Sequence, residues 1–316
     1  MSGGPREHPE PAAPAAAPEL WTPQTLLQWS ETYFSGKGIA TARIDAERLL
    51  SHALGCSRLK LYLHFDRPLT AAELAGYRDL VRRRAGRIPV PYLTGEVGFW
   101  NLTLKIRPGC LIPRPDTETL VEAVLDAAAD LREGNESSAA GLTVAEWGTG
   151  SGAIPLAVLS ESRNLRWIAT EPSPTAIEVA AENRALHAAL LEERGHRLEL
   201  IRAAGLAPFG EGFRPQLVVS NPPYIPTAIV DTLEPEVARY EPRLALDGGA
   251  DGLESHRALA GAAAGLLPVG GRLLVEIGYD QAEAVRELLS AQPGLQFREI
   301  RNDLAGRPRV AIAERG

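Results

Sequence analysis

Two cysteines, Cys56 and Cys110, are all that the 316 residues offer for covalent cross-linking. They are too few and too separated for a disulfide framework, so a reducing compartment, the cytoplasm, is expected. Long apolar runs are missing too. A membrane helix needs roughly 18 to 20 apolar residues, and the best stretch, Leu259–Val269, is short and broken by glycine and proline, which argues against a membrane partner. The first residues have neither the basic start nor the apolar centre of a secretion signal. None of the six histidines stands at a metal-ligand spacing from Cys, Asp or Glu, so no metal is expected. Positive charge is in deficit. Lys plus Arg number 33 against 40 Asp plus Glu, giving a formal charge of −7 and a pI near 5.5. Nucleic acid is therefore not expected as the main substrate, because binding it rests on neutralising phosphates. The local run Arg82, Arg83, Arg84, Arg87 reads as a solvated helix face.

The length suits two domains. Residues 2–18 are Pro, Ala, Gly and charge without a large apolar side chain, so 1–18 is expected to be a disordered tail. Over 19–88 the pattern is helical: Leu26, Leu27, Trp29, Tyr33 and Phe34 recur at helix spacing, as do Leu49, Leu50, Leu54 and then Leu74, Tyr77, Leu80, Val81. Thr22 before Pro23, and Thr41, are expected N-caps; Gly36, Gly38 and Gly55 are expected stops. Residues 89–115 hold two short β-rich stretches, Val97–Trp100 and Leu102–Ile106, expected to form a hairpin linker. From 116 to 316 apolar strand-like runs alternate with amphipathic stretches, notably 175–191, 256–267 and 281–291. That alternation implies a mostly parallel sheet covered by helices on both faces.

The segment Glu146-Trp147-Gly148-Thr149-Gly150-Ser151-Gly152-Ala153 falls where the first strand of this region ends and a helix begins. Glycines there let a ligand approach the backbone, and the helix start offers free N–H groups. Glu171 closes the next strand, where a carboxylate suits the two hydroxyls of a ribose. The loop also satisfies a loose dinucleotide fingerprint, so on these residues alone a nicotinamide cofactor competes. Ser151 lacks the flanking pattern and partner histidine of a hydrolase elbow.

Asn221-Pro222-Pro223-Tyr224 follows a later strand, Gln216–Ser220, at the edge where open α/β sheets bind ligands. The prolines stiffen the backbone. The Asn221 side-chain oxygen and the Pro222 carbonyl are then placed to accept both N–H groups of a planar nitrogen, and Tyr224 to cover it.

Three further segments are more specific: Pro91-Tyr92-Leu93-Thr94-Gly95-Glu96, Phe99-Trp100, and Leu111-Ile112-Pro113-Arg114-Pro115-Asp116-Thr117-Glu118. With the loop and Asn-Pro-Pro-Tyr they resemble the protein-(glutamine-N5) methyltransferases of the PrmC/HemK type, which modify peptide chain release factors. The resemblance runs from about Trp21 to Val310. It implies an α/β fold, a seven-stranded Rossmann-like class I methyltransferase domain preceded by a small helical bundle and a β-hairpin linker. It implies S-adenosyl-L-methionine held by Gly148, Thr149, Gly150, Ser151, Gly152, Glu171 and Asn221. Substrate would meet Asn221, Pro222, Pro223, Tyr224, Phe99, Trp100 and Arg114, with Asn221, Pro222 and Tyr224 catalytic. The implied partner is a class I release factor whose Gly-Gly-Gln loop enters the pocket of a monomeric enzyme, docked by the helical domain.

Asn-Pro-Pro-Tyr is shared with adenine-N6 methyltransferases, and the related ribosomal-protein glutamine methyltransferases usually show Pro-Arg-Ser-Pro in the linker; both are neighbouring readings. The chain departs from the family pattern in four places. Glu146 and Glu171 replace Asp, Trp147 replaces an aliphatic residue, and Ala204-Gly205 stands where an Asp and an aromatic residue are common near the adenine. A non-catalytic release-factor binding protein is the reading these departures suggest.

Overall fold

The computed structural model describes residues 20–133, 141–210 and 212–316; the expected tail, 1–18, lies outside them. The chain divides between Thr94 and Gly95 into two compact units.

The first unit is helical, with α1 (Pro23–Gly36), α2 (Ala42–Ala53), α3 (Arg58–Leu63), α4 (Ala71–Ala85) and α5 (Val90–Thr94). Thr22 caps α1 as expected. Its Oγ1 accepts the Thr25 N–H at 3.3 Å while Thr25 Oγ1 accepts the Thr22 N–H at 2.9 Å, and Pro23 fills the first turn. Leu26, Leu27, Phe34, Leu49, Leu50, Tyr77 and Val81 make the core. Gly38 and Gly55 turn the chain at φ +70° and +58°, in the left-handed region that glycine tolerates.

Two expectations need correction. Thr41 does not cap α2 with its side chain; its hydroxyl donates to Asp45 at 2.9 Å. The arginine run is not a continuous solvated face, because Arg84 is buried and its Nε donates to buried Asp45 at 2.8 Å. Two buried charges must neutralise one another, and that need outweighs capping as a use for Thr41.

The second unit opens with the antiparallel hairpin β1 (Glu96–Phe99) and β2 (Leu102–Lys105) and a 3-10 turn, Pro115–Thr117. Then follow α6 (Glu118–Glu133), β3 (Leu142–Trp147), α7 (Ala153–Glu161), β4 (Leu165–Glu171), α8 (Pro174–Leu186), α9 (Ala188–Glu193), β5 (Arg197–Arg202) and β6 (Leu217–Ser220). After short helices α10 (Thr227–Val230) and α11 (Pro235–Tyr240) come α12 (Glu254–Leu266), β7 (Arg272–Glu276), α13 (Ala282–Ala291), β8 (Leu295–Asn302) and β9 (Pro308–Arg315). The amphipathic stretch 175–191 is thus two helices, broken at His187.

The sheet has seven strands in the order β5-β4-β3-β6-β7-β9-β8. The pairings among β3 to β7 are parallel, and β9 runs antiparallel to both β7 and β8. Side chains alternate between two cores, as the strand period of two requires. Val144, Val219, Leu274 and Ile312 face the core shared with α6 and α7, whereas Ala145, Val218, Val275 and Ala311 face that of α12 and α13. The chain winds outward from β3 through β4 to β5, then returns to set β6 on the other side of β3. The gap at the carboxyl ends of β3 and β6 is therefore the switch point, where such sheets bind ligands.

Candidate functional site

Register delivers two of the sequence motifs to that gap. Trp147 pairs with Ser220 across β3 and β6, and Ser220 Oγ donates to the Trp147 carbonyl at 2.8 Å. The residues that follow, Gly148 and Asn221, therefore leave the sheet side by side. Trp147 also pairs with Thr170, which brings Glu171 to the same edge.

Gly148, Gly150 and Gly152 have φ of +78°, +58° and +79°, so the turn needs all three. Side chains built at Gly148 and Gly150 would meet nothing within 4 Å, while one at Gly152 would lie 3.5 Å from Ala180 on α8. Two glycines thus open space for a ligand and the third lets α8 pack close. Glu171 organises the loop: its Oε2 accepts the Gly150 N–H and its Oε1 the Ser173 N–H, both at 2.9 Å. Burial raises its pKa, opposed by those two N–H donors. Each oxygen keeps lone-pair capacity for a ribose hydroxyl.

Glu146 is fully buried and its Oε2 accepts the indole N–H of Trp167 at 2.9 Å. Burial pushes its carboxyl up to about 7, against Thr149 and Trp167, which favour the charged form. Glu146 Oε1 and Thr149 Oγ1 are both buried without completing a hydrogen bond of good geometry. Ser151 is buried, and its carbonyl accepts Asn183 Nδ2 at 2.9 Å.

The Asn-Pro-Pro-Tyr segment is held from behind. Asn221 Nδ2 donates to Thr117 Oγ1 at 3.2 Å, Tyr224 Oη to Glu276 Oε1 at 3.2 Å, and Gln281 Nε2 to the Tyr224 carbonyl at 2.9 Å. Pro222 is buried and Pro223 half-buried. Glu276 ends β7, and Arg309 of β9 reaches Asp116 at 3.0 Å and Asp303 at 3.3 Å. Arg114 pairs with buried Glu241, whose other oxygen accepts the Ile112 N–H at 3.1 Å, which ties the linker signature to the segment after Tyr224. Burial, and then the nearby Glu276 charge, push the Tyr224 phenol well above its ordinary value, with Arg309 and Arg114 opposing.

Phe99 and Trp100 are not brought to the loop. Phe99 is buried in the core under α6 and α7. Trp100, at φ +56°, donates its indole N–H to Glu161 at 3.0 Å, at the opposite end of α7 from the glycines. The sequence reading missed Glu276, Arg309 and Glu241 and gave Thr117 no role. Only Thr117 carried a signal, inside the Arg-Pro-Asp-Thr-Glu segment. Among the described residues no group of three or more His, Cys, Asp or Glu is placed to hold a metal, and no helix is long and apolar enough to cross a membrane.

A mixed seven-stranded sheet whose switch point joins an open glycine turn, a buried carboxylate and the Asn-Pro-Pro-Tyr segment is the architecture of a class I S-adenosylmethionine-dependent methyltransferase. Residues 25–95 match the family described as the PrmC N-terminal domain. A release factor glutamine methyltransferase of Geobacter sulfurreducens is 43% identical over 86% of this chain and 90% of its own. That of Moorella thermoacetica is 41% identical over 88% and 93%. Among solved structures, the catalytic domain of hMettl16 in complex with an RNA hairpin shares the fold, with a TM-score of 0.50 and 15% identity over 68% of this chain and 76% of that one. The chain belongs to the release factor glutamine methyltransferase family.

Proposed function

We propose that this protein transfers a methyl group from S-adenosyl-L-methionine to the side-chain nitrogen of the glutamine in the Gly-Gly-Gln segment of class I release factors. The observation that carries this reading is the register of β3 against β6, which sets Asn221 beside the glycine turn. The residues present fit the cofactor. The open faces of Gly148 and Gly150 leave room for it, Glu171 has acceptor capacity for a ribose, and Thr149 and Ser151 complete the turn.

When bound, the cofactor supplies an electrophilic methyl on a sulfonium. An amide nitrogen is a poor nucleophile, because its lone pair is shared with the carbonyl. Asn221 Oδ1 and the Pro222 carbonyl accept its two N–H groups, orient the lone pair and stabilise the positive charge that develops there. Pro223 stiffens the segment, and Tyr224, fixed through Glu276, covers the planar group. Alignment of this kind is worth roughly 7 to 11 kcal/mol of the barrier.

On this reading the helical region 19–88 docks the release factor, 89–115 links it to the catalytic region 116–316, Arg114 lines the entrance, and the enzyme works as a cytoplasmic monomer. Incubation with the cofactor and purified release factor, followed by peptide mass mapping, tests it. An unmodified Gly-Gly-Gln glutamine rejects the reading, and methyl transfer to RNA or DNA instead would favour adenine.

A further inference from the structure

On the reading of Asn221 just given, its Oδ1 must face the substrate. Turned over, it would present donors to a group that is itself a donor. The partner that decides is the Thr117 hydroxyl, 3.2 Å from Nδ2. A hydroxyl both donates and accepts, so Thr117 holds Asn221 in one sense only if its own hydrogen is committed elsewhere.

Glu276 is the group in place to take that hydrogen. It is buried at the end of β7, the strand beside β6. The Tyr224 hydroxyl is 3.2 Å from its Oε1, and the Thr117 hydroxyl favours its charged form without completing a hydrogen bond to it. Its Oε2 is buried with no hydrogen-bond partner of good geometry.

We propose that Glu276 is a positioning residue for methyl transfer. As an acceptor-only carboxylate it takes the hydrogens of Thr117 and Tyr224. Thr117 is left with lone pairs alone for Asn221, whose Nδ2 is thereby held and whose Oδ1 is turned to the substrate nitrogen. A protonated Glu276 becomes a donor, and the direction of the whole chain is free to reverse.

The charged groups around it come from every packed element. Arg309 on β9 favours the carboxylate and Asp116 in the 3-10 turn opposes it. Asp303 shares Arg309, and Arg114 acts on Tyr224. From α12, His256 Nε2 bonds the Glu276 carbonyl at 3.0 Å, and burial lowers that imidazole's pKa. The balance is dominated by burial, which pushes Glu276 up to about 7. Turnover should therefore fall as pH drops through about 7.

The test measures kcat and KM for a release factor across pH, and cofactor affinity by calorimetry, in wild type, Glu276→Gln and Thr117→Val. The glutamine brings a donor to this position. Its kcat at about pH 8 is expected to fall roughly ten- to a hundredfold with the acid limb gone and cofactor affinity nearly unchanged. Thr117→Val cuts Asn221 off from Glu276 and should flatten the same limb. If both variants keep wild-type kcat and its acid limb, the proposal is overturned. Should Glu276→Gln fail to fold, Thr117→Val decides alone: a lost limb supports the role and a retained one overturns it. An Asn221→Ala enzyme that still turns over refutes the underlying reading of Asn221. An inactive one, beside normal Glu276→Gln and Thr117→Val, refutes the Glu276 role only.

Discussion

The indole of Trp147 covers Gly205. Its Cε2 and Cζ2 atoms are both 3.8 Å from where a Cβ at Gly205 would stand. These are two of the four departures from the family pattern, and they lie against each other. Both departures therefore meet in one contact, an indole from the end of β3 lying over the glycine that follows β5.

This pairing predicts non-additivity. Trp147→Leu leaves a gap, and Gly205→Trp places a bulky residue at φ +63°, a strain of about 1–2 kcal/mol, directly against Trp147. Each single change should weaken cofactor binding and lower the melting temperature. The double variant should recover part of both losses, and simple additivity in a double-mutant cycle would count against the coupling.

Asn221→Ala should bind the cofactor nearly as wild type yet lose kcat by about two to three orders of magnitude, the scale for removing one group aimed at developing charge. Calorimetry and single-turnover methylation separate the two quantities.

Glu171→Ala should weaken cofactor binding by about 1.5–3 kcal/mol, roughly ten- to a hundredfold in Kd, the cost of hydrogen bonds to a charged partner. It also frees the Gly150 N–H, so part of the loss is loop order. Hydrogen exchange at Gly150 should quicken in parallel.

Glu146 gives the fold a pH dependence of definite sign. In the unfolded chain the carboxyl releases its proton near the ordinary value of about 4.3, but in the folded protein only near about 7. Between these values the unfolded state binds fewer protons than the fold, so stability falls as pH rises from about 4.5 to about 7 and is level above. At 1.36 kcal/mol per pKa unit the effect is on the order of 3 kcal/mol. Glu276 adds a second contribution in the same window. Glu146→Gln should flatten part of this slope in melting curves taken across pH, and its stability relative to wild type should improve as pH rises.

The strands were legible because buried parallel strands are short apolar runs, and the expected strand Gln216–Ser220 is β6, Leu217–Ser220. The glycine turn and Glu171 were legible because their spacing is local to one β-α-β unit. Thr117 and Glu276 were not, since their meaning comes from Asn221 and Tyr224, far away in sequence and near only through the sheet. Phe99 and Trp100 were misplaced because an aromatic pair at a hairpin does not say which side faces the pocket. Arg84 is different: it follows Tyr77, Leu80 and Val81 at seven, four and three residues, on the buried stripe of α4. Its place in the helical period marks it for burial, and its charge, which ordinarily marks exposure, is met by Asp45.

The ion pair between Asp116 and Arg309 joins the 3-10 turn near the start of the second unit to its last strand. Arg309 in turn faces Glu276 and Tyr224. The polar seat behind Asn221 is thus a contact of very high sequence separation, and loop-closure entropy makes such contacts late events in folding. A nascent chain whose β9 has not yet paired would hold a glycine turn and Asn221 already in register, but with Glu276 lacking its Arg309 neighbour. Cofactor binding should then be acquired before turnover as the chain folds, and the interval between them would time the docking of β9.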